Sequence, residues 1–163
     1  HNLMLGTSPT EFSPNITMTR GMLVTVLYRM NGSPSVSGKT PFTDVRTDEW
    51  YSAAVLWAYQ NGIVTGMSDT TFAPINNVTR EQMATILFRY TKTAAPDKAK
   101  ASADLSGFAD AGSVNDWAVD AMRWAVGQKL IAGITLGQSV YLQPRGNATR
   151  AQAATVLTRY YAQ

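Results

Sequence analysis

Thr79-Arg80-Glu81-Gln82-Met83-Ala84-Thr85-Ile86-Leu87-Phe88-Arg89-Tyr90 is the stretch that decides the fold, because the chain repeats its pattern at residues 19–30 and 149–160. All three copies begin with a Thr-Arg pair and carry a second Arg nine residues after the first. The copies start 60 and 70 positions apart (79 − 19 and 149 − 79). Such internal self-similarity indicates a protein built from repeated supersecondary units.

Each copy is predicted to form an amphipathic helix. Apolar residues recur at i, i+3, i+4 and i+7, as Met83, Ile86 and Leu87 illustrate in the second copy. Thr79 and Thr149 are predicted N-caps, since each has a Gln three residues later, as a capping box requires. The first copy has Met at that position, so we expect its cap to be weaker.

A second helix is predicted ahead of two of the copies. Residues 50–59 and 117–126 both carry Trp at i and i+7, and both have Ala at i+4 and i+8, where a small side chain lets another helix approach. Gly66 and Gly133 follow these helices and are expected to end them or to permit a turn with positive φ. The chain starts where the corresponding helix of the first copy would end, so we expect it to begin inside the first repeat.

Composition limits the classes of function. The net charge of +3 favours an anionic partner, but Lys and Arg are spread along the chain, which argues against nucleic acid. The chain has no Cys, and its single His is His1, so no metal, cofactor or His-based catalytic triad is expected. No apolar run approaches the roughly 18 residues of a membrane helix, so membrane insertion is not expected.

The ordered set of motifs resembles the S-layer homology (SLH) domain. The matching residues of the second copy are Phe42-Thr43-Asp44-Val45, Trp50, Trp57, Gly66, Phe72, Pro74 and Thr79-Arg80-Glu81. The third copy matches well, and the first matches only in its second half. The resemblance covers nearly the whole chain and divides it into a partial repeat (1–34), a second (35–95) and a third (96–163), which together form one compact unit.

The resemblance implies an all-α fold, with three helical repeats in a pseudo-threefold arrangement around a central helix bundle. It implies an extracellular location at the cell wall or S-layer and a non-enzymatic, structural role. The implied function is non-covalent anchoring of a bacterial surface protein through an acidic secondary cell-wall polysaccharide, which often carries pyruvate ketals. Modified peptidoglycan is the alternative ligand that the resemblance implies.

The predicted ligand site centres on Arg20, Arg80 and Arg150, one at the start of each repeated helix. A helix N-terminus offers free N–H groups and a partial positive charge, and a guanidinium can bind a carboxylate with two hydrogen bonds. We expect these arginines to face grooves between neighbouring repeats, with the groove of Arg80 fitting the motif best. Pairing with an Asp of the neighbouring repeat is the structural alternative, and both roles can coexist.

Aromatic and acidic residues complete the predicted site. Trp50 and Trp117, at helix starts, offer a flat face to a sugar ring or else belong to the core. Asp44 and Asp110 accept sugar hydroxyls, hold the Arg, or cap a turn or helix. The remaining predicted members, which match the family motif, are Gly66, Gly133 and Glu81.

Two groups of repeated residues are assigned to structure instead. Trp57 and Trp124 lie in the middle of their helices and are expected in the core. The second arginine of each copy is expected to be structural or solvated, and the three are Arg29, Arg89 and Arg159.

Two other classes of function stay open. The first is a protein-interaction or self-assembly module, since short helical repeats often bind proteins and exchange of an N-terminal helix between chains creates dimers. The second is a wall hydrolase that uses Asp44, Asp110 or Glu81. Glycoside cleavage needs an acid and a base in different environments, and repeated residues do not supply that asymmetry, so the chain is not expected to be an enzyme.

Overall fold

The computed structural model describes residues 3–100 and 102–162, so the expectation that rests on His1 lies outside the described residues. Five α-helices form within them: α1 (Arg20–Met30), α2 (Ser52–Gln60), α3 (Arg80–Ala94), α4 (Val119–Gly127) and α5 (Arg150–Tyr161). An antiparallel hairpin of β1 (Ile134–Leu136) and β2 (Ser139–Tyr141) lies between α4 and α5. Short 3₁₀ helices cover Pro96–Lys98, Ala111–Ser113 and Asp116–Ala118.

The predicted all-α fold is wrong, because the chain contains this two-stranded sheet and is only 41% helical. The hairpin occupies the loop 133–144, which is three residues longer than the corresponding loop 66–74 of the second repeat. Gly137, with φ of +62°, turns the hairpin, and a two-residue loop favours Gly there. The shorter loop instead makes an isolated β-bridge between Ser68 and Thr71. The extra residues therefore convert a tight loop into paired strands.

The repeated helices begin as the sequence predicts. Thr79 Oγ1 accepts the N–H of Gln82, and the Gln82 side chain accepts the N–H of Thr79, so both halves of a capping box are present. Thr149 and Gln152 form the same box at the start of α5. Thr19 accepts an N–H at the start of α1, but the Met three residues later closes no box. The weaker cap predicted for α1 is confirmed.

The segments that lead into the repeated helices bond to one another in a closed ring. The N–H of Met18 donates to the carbonyl of Ala148, that of Ala148 to Val78, and that of Val78 to Met18, at 2.8 to 2.9 Å. The first N–H of each repeated helix also leaves its own repeat, in the pairs Arg20 to Asn76, Arg80 to Gly146 and Arg150 to Ile16. Because every segment both donates and accepts, displacing one repeat breaks bonds to both of the others.

Helix packing also joins consecutive repeats. The Trp-bearing helix α2 packs on α1 of the preceding repeat, and α4 packs on α3 in the same way. The ring of Trp57 lies 5.7 Å from that of Tyr28, and the ring of Trp124 lies 5.3 Å from that of Phe88. Trp57 and Trp124 are buried, which confirms their assignment to the core. Burying a large apolar side chain contributes roughly 1.5–3 kcal/mol to the free energy of folding. These two contacts therefore contribute substantially to holding consecutive repeats together.

The closed ring predicts that the three repeats unfold together. The backbone amides of Met18, Val78 and Ala148 should exchange with the same free energy of opening, equal to that of global unfolding, in the range of roughly 5–15 kcal/mol. Native-state hydrogen exchange measured by NMR tests this. If one of the three amides exchanges through an opening of much lower free energy, the ring does not make the repeats cooperative.

Candidate functional site

Each of the three predicted arginines binds a loop of another repeat. Their Nε–H groups donate to main-chain carbonyls, in the pairs Arg20 to Phe72 (2.9 Å), Arg80 to Leu142 (2.7 Å) and Arg150 to Phe12 (2.9 Å). All three residues are buried, with 4 to 6% of their surface exposed. Each arginine therefore has a structural role, but it binds a carbonyl, and the expected pairing with an Asp of the neighbouring repeat is not among the ion pairs of the described residues.

The two predicted aspartates hold the same loops. The carboxylate of Asp44 accepts the N–H groups of Phe72 and Ala73, at 2.9 and 2.6 Å. Asp110 makes the same two bonds to the corresponding loop of the third repeat. Ala73 has φ of +58°, a left-handed conformation that is uncommon for a residue with a side chain. The loop is thus fixed by an aspartate at its N–H groups and by an arginine at its carbonyl.

The N–H groups at the helix starts are already bonded, contrary to the expectation that they are free for an anion. In α1 the N–H of Arg20 donates to Asn76, and that of Gly21 donates to the carbonyl of Pro74. The next N–H is capped by Thr19. The starts of α3 and α5 are bonded in the same pattern. An anion at these sites must therefore be held by side chains.

Two pseudo-equivalent surface grooves contain five of the ten predicted site residues. The Arg20 groove, of about 380 Å³, is lined by Arg20, Thr65, Gly66, Gln82, Arg89 and Trp117. The Arg150 groove, of about 360 Å³, is lined by Arg150, Leu5, Gly6, Met22, Arg29 and Trp50. Each groove combines an arginine from one repeat, a loop and helix from the next, and a tryptophan from the one after. Trp117 and Trp50 are 53% and 58% exposed, so both indoles are open to solvent.

Arg80, which motif fit favoured, is not among the residues that line either groove. Its Nη2 donates to the carbonyl of Ala132 at 3.0 Å, in addition to its Nε bond. Burial lowers the pKa of Arg80, and the carboxylate of Asp110 opposes this. Gly133 lies beside the ring of Phe108, where a Cβ atom would collide with the ring, so close packing explains this glycine. The predicted tryptophans instead lie beside the other two arginines, in the Arg20 and Arg150 grooves.

Glu81 positions the aromatic wall of the Arg20 groove. It is buried, and its carboxylate accepts both the backbone N–H and the side-chain amide of Asn115. Asn115 immediately precedes the 3₁₀ helix that carries Trp117. At the matching position of α1, a Cβ atom on Gly21 would lie 3.4 Å from the ring of Tyr51, so that ring fills the place of the carboxylate.

Two of the three second arginines, Arg29 and Arg89, are groove residues that the sequence reasoning missed. Arg89 lines the Arg20 groove, and its Nη1 donates to Thr65 Oγ1 at 3.3 Å. Arg29 lines the Arg150 groove. Nine residues correspond to about two and a half helical turns, so the two arginines of one helix point to opposite sides. Their strict nine-residue spacing was the signal for this, and α1 shows the result, because Arg20 lines one groove and Arg29 lines the other.

The guanidinium of Arg20 retains free hydrogen-bonding capacity. Among the described residues, every buried side-chain nitrogen and oxygen has a hydrogen-bond partner. The Nη atoms of Arg20 have no such partner, so they are not buried and face the groove that Arg20 lines. Arg150 instead uses its Nη2 on the carbonyl of Leu5 and its Nη1 on the sulfur of Met22. Burial lowers the pKa of Arg20 to about 10, partly offset by the carboxylate of Asp44. Arg20 is therefore a charged, poorly hydrated donor at neutral pH.

The described residues carry little other ionic chemistry. Their one ion pair at bonding distance, Arg46 with Asp48, lies on the surface with both side chains more than 60% exposed. In the part of the chain that the structure covers, no three His, Asp, Glu or Cys side chains are grouped to hold a metal ion. None of the helices described there combines the length and apolarity needed to cross a bilayer.

Comparisons with known proteins agree with this architecture. The sequence model of the S-layer homology domain matches residues 41–84 and 107–154. The chain is 35% identical over 156 residues to an endoglucanase of Bacillus sp. (strain KSM-635), which covers 96% of this chain and 16% of that protein. It is 32% identical over 149 residues to the surface-layer 125 kDa protein of Lysinibacillus sphaericus, covering 91% and 12%. It is 30% identical over 157 residues to an amylopullulanase of Thermoanaerobacterium thermosulfurigenes, covering 96% and 8%.

These relatives are much longer than this chain, which spans 8 to 16% of their length. The matched region is therefore a module that occurs in proteins named for different activities, two of them enzymes and one a surface-layer protein. The similarity extends across 91 to 96% of this chain.

Replacing Asp44 by Ala should destabilise the fold by about 2–4 kcal/mol, because two loop N–H groups lose their acceptor and each unpaired buried donor costs about 1–3 kcal/mol. Urea unfolding followed by circular dichroism measures the change. Asp48→Ala is the matched control, since it removes a surface ion pair and should change stability by less than about 1 kcal/mol. Equal stabilities of the two variants would contradict a structural role for Asp44.

Proposed function

Because the chain belongs to the S-layer homology domain family, a family of non-catalytic cell-surface anchoring modules, we propose that it anchors a bacterial surface protein by binding an acidic cell-wall polysaccharide. Membership of this family places the chain at the cell surface. The observation that carries the proposal is the Arg20 groove, where unpaired guanidinium nitrogens lie beside a solvent-exposed indole.

The Arg20 groove has the chemistry that a sugar bearing a carboxylate needs. The Nη atoms of Arg20 offer paired N–H donors that match the two oxygens of a carboxylate, as in a pyruvate ketal. Arg89 adds a second cation at the same groove. Trp117 presents a flat apolar face to the C–H face of a sugar ring, and its exposure means that stacking covers apolar surface now in water. A charge-assisted hydrogen bond contributes about 1.5–3 kcal/mol, so the guanidinium is the main source of affinity.

The Arg150 groove is proposed as the weaker of the two sites. Its exposed Trp50 offers the same stacking face. Its guanidinium, however, already donates to Leu5, Phe12 and Met22, so an anion must displace protein partners before it can be bound. Bonds that only replace existing bonds add little net free energy.

The other predicted site residues act as supports in this proposal. Asp44 and Asp110 fix the loops whose carbonyls hold Arg20 and Arg80. Glu81 fixes the start of the segment that carries the indole. The glycines let the loops pass close to aromatic rings, and the two are Gly66 and Gly133.

Replacing Arg20 by Lys should weaken binding of the native wall polysaccharide by about 1.5–3 kcal/mol, roughly 10- to 100-fold in Kd. Lys keeps a positive charge but loses the planar fork that matches a carboxylate. Isothermal titration against native and depyruvylated polymer measures the effect. The parent protein should discriminate strongly between the two polymers, whereas Arg20→Lys should bind both with similar affinity. Equal discrimination by parent and variant would exclude Arg20 as the ketal contact.

Trp117→Ala and Trp50→Ala form a matched pair, because both indoles are more than half exposed and their loss should leave the fold intact. Loss of the first should weaken binding by about fivefold, since aromatic contacts of this kind contribute about 1 kcal/mol and 1.4 kcal/mol corresponds to tenfold. Loss of the second should have the smaller effect in the same titration. The reverse order would assign the principal site to the Arg150 groove.

A further inference from the structure

The residue that follows the last proline of each loop is exposed and differs from repeat to repeat. In chain order these residues are Asn15, Ile75 and Arg145. Only the third copy carries a charge at this position. The backbone on both sides of it is fixed, because the carbonyls of Pro144 and Gly146 accept the first two N–H groups of α3 at 2.9 Å. Arg145 therefore lies at the first turn of α3.

The side chain of Arg145 reaches the segment that carries the indole of the Arg20 groove. Its Nη2 donates to Asn115 Oδ1 at 3.4 Å, and Asn115 stands two residues before Trp117. Gln82, in the turn of α3 that Arg145 adjoins, lines the same groove. Arg145 itself is not among the lining residues, so it lies beside the groove and outside it.

The guanidinium of Arg145 is open to a ligand. The residue is exposed, and the long bond to Asn115 is the one side-chain hydrogen bond that it makes within the described residues. In that part of the chain no carboxylate forms an ion pair with it. Since a guanidinium carries five N–H donors, most of them are left for water or for an anion.

The Arg150 groove lacks this cation. The neighbours of Ile75 accept the first two N–H groups of α1, just as the neighbours of Arg145 do for α3. Met22, in that turn of α1, lines the Arg150 groove. Ile75 is uncharged and 75% exposed. The two grooves therefore differ in the charge beside them as well as in the donors inside them.

We propose that Arg145 binds a second anionic group of the wall glycan, on a unit next to the one held in the Arg20 groove. The inference rests on the proposed function and extends it to the class of ligand. The favoured polymer carries negative charge, as carboxylate or phosphate, on neighbouring units. An anion held by Arg20 inside the groove is a different group from the one at Arg145, because Arg145 lies outside that groove.

Titration of two ligands tests the proposal. One is the native wall polysaccharide, and the other is a single sugar that bears one pyruvate ketal. Arg145→Gln should weaken binding of the polymer about fivefold, the upper end for one solvent-exposed ion pair, and should leave the Kd of the single sugar unchanged. Arg145→Lys keeps the charge and should bind both ligands nearly as the parent does. The effect on the polymer should shrink as salt is raised, because exposed charges are screened.

Lys98→Gln is the matched control, since it removes one positive charge from an exposed residue that lines neither groove. It should leave the Kd of both ligands unchanged. The proposal is overturned if Arg145→Gln does not weaken binding of the polymer, or if Lys98→Gln weakens it equally. Equal weakening of both ligands by Arg145→Gln also overturns it, because Arg145 would then act on the groove through Asn115.

The single sugar separates this inference from the proposed function. Its binding to the parent protein tests the Arg20 groove alone, so a parent that does not bind it contradicts the proposed function. A parent that binds it, together with an unchanged polymer Kd in Arg145→Gln, contradicts only the second contact.

Polymer stripped of its phosphate groups identifies the second anion. If Arg145→Gln no longer weakens binding of this polymer, the group at Arg145 is a phosphate. If the weakening persists, the group is a carboxylate. Either result supports the second contact, because the native polymer has already shown the effect.

Discussion

A buried guanidinium that donates its Nε–H to a carbonyl of another repeat is the interaction on which the rest of the structure depends. Arg20, Arg80 and Arg150 each make this bond, and the loops that receive it are the ones that shape the grooves. A buried charge is costly unless it is hydrogen-bonded, so each arginine requires its neighbour to be folded. The backbone ring of Met18, Val78 and Ala148 closes this dependence around the molecule. The arginine of each repeat therefore depends on a second repeat for its hydrogen bond.

The same guanidinium can serve both structure and binding because it carries five N–H donors in a rigid plane. Its Nε–H holds the loop, and its Nη atoms are left for a ligand or for further carbonyls. Arg20 uses one guanidinium nitrogen to bond the protein, whereas Arg150 uses all three. The planar ring of Phe72 lies beneath the Arg20 guanidinium, 4.7 Å from its carbon, which stabilises the charge without using a donor. Lys has neither the plane nor the second set of donors, so the two duties cannot be separated by a simple exchange.

The sequence predicts well those features that depend on residue patterns within a single repeat. The Thr and Gln of a capping box are three residues apart, and the buried Trp of α2 and α4 follows from helical periodicity, so both were predictable. The hairpin was missed although its signal is present, since residues 134–136 and 139–141 alternate around a Gly-Gln turn. Resemblance to helical repeats outweighed that local pattern. The free N–H groups expected at the helix starts were wrong because their acceptors, such as Asn76 for Arg20, come from another repeat.

The composition of the grooves could not be predicted either, because it also depends on contacts between repeats. These contacts explain why the copies of one repeat are not equivalent. Each groove draws on three repeats, so its properties are not those of any single motif. Met22 and Gln82 occupy the same position in α1 and α3, yet only Met22 contacts the arginine of its groove. A substitution at this one position therefore changes one groove while the other keeps its donors. Motif fit favoured Arg80 because its own repeat is complete, but a groove's affinity depends on which neighbours the ring brings to it. A single repeat removed from this ring would keep its motif and lose its site.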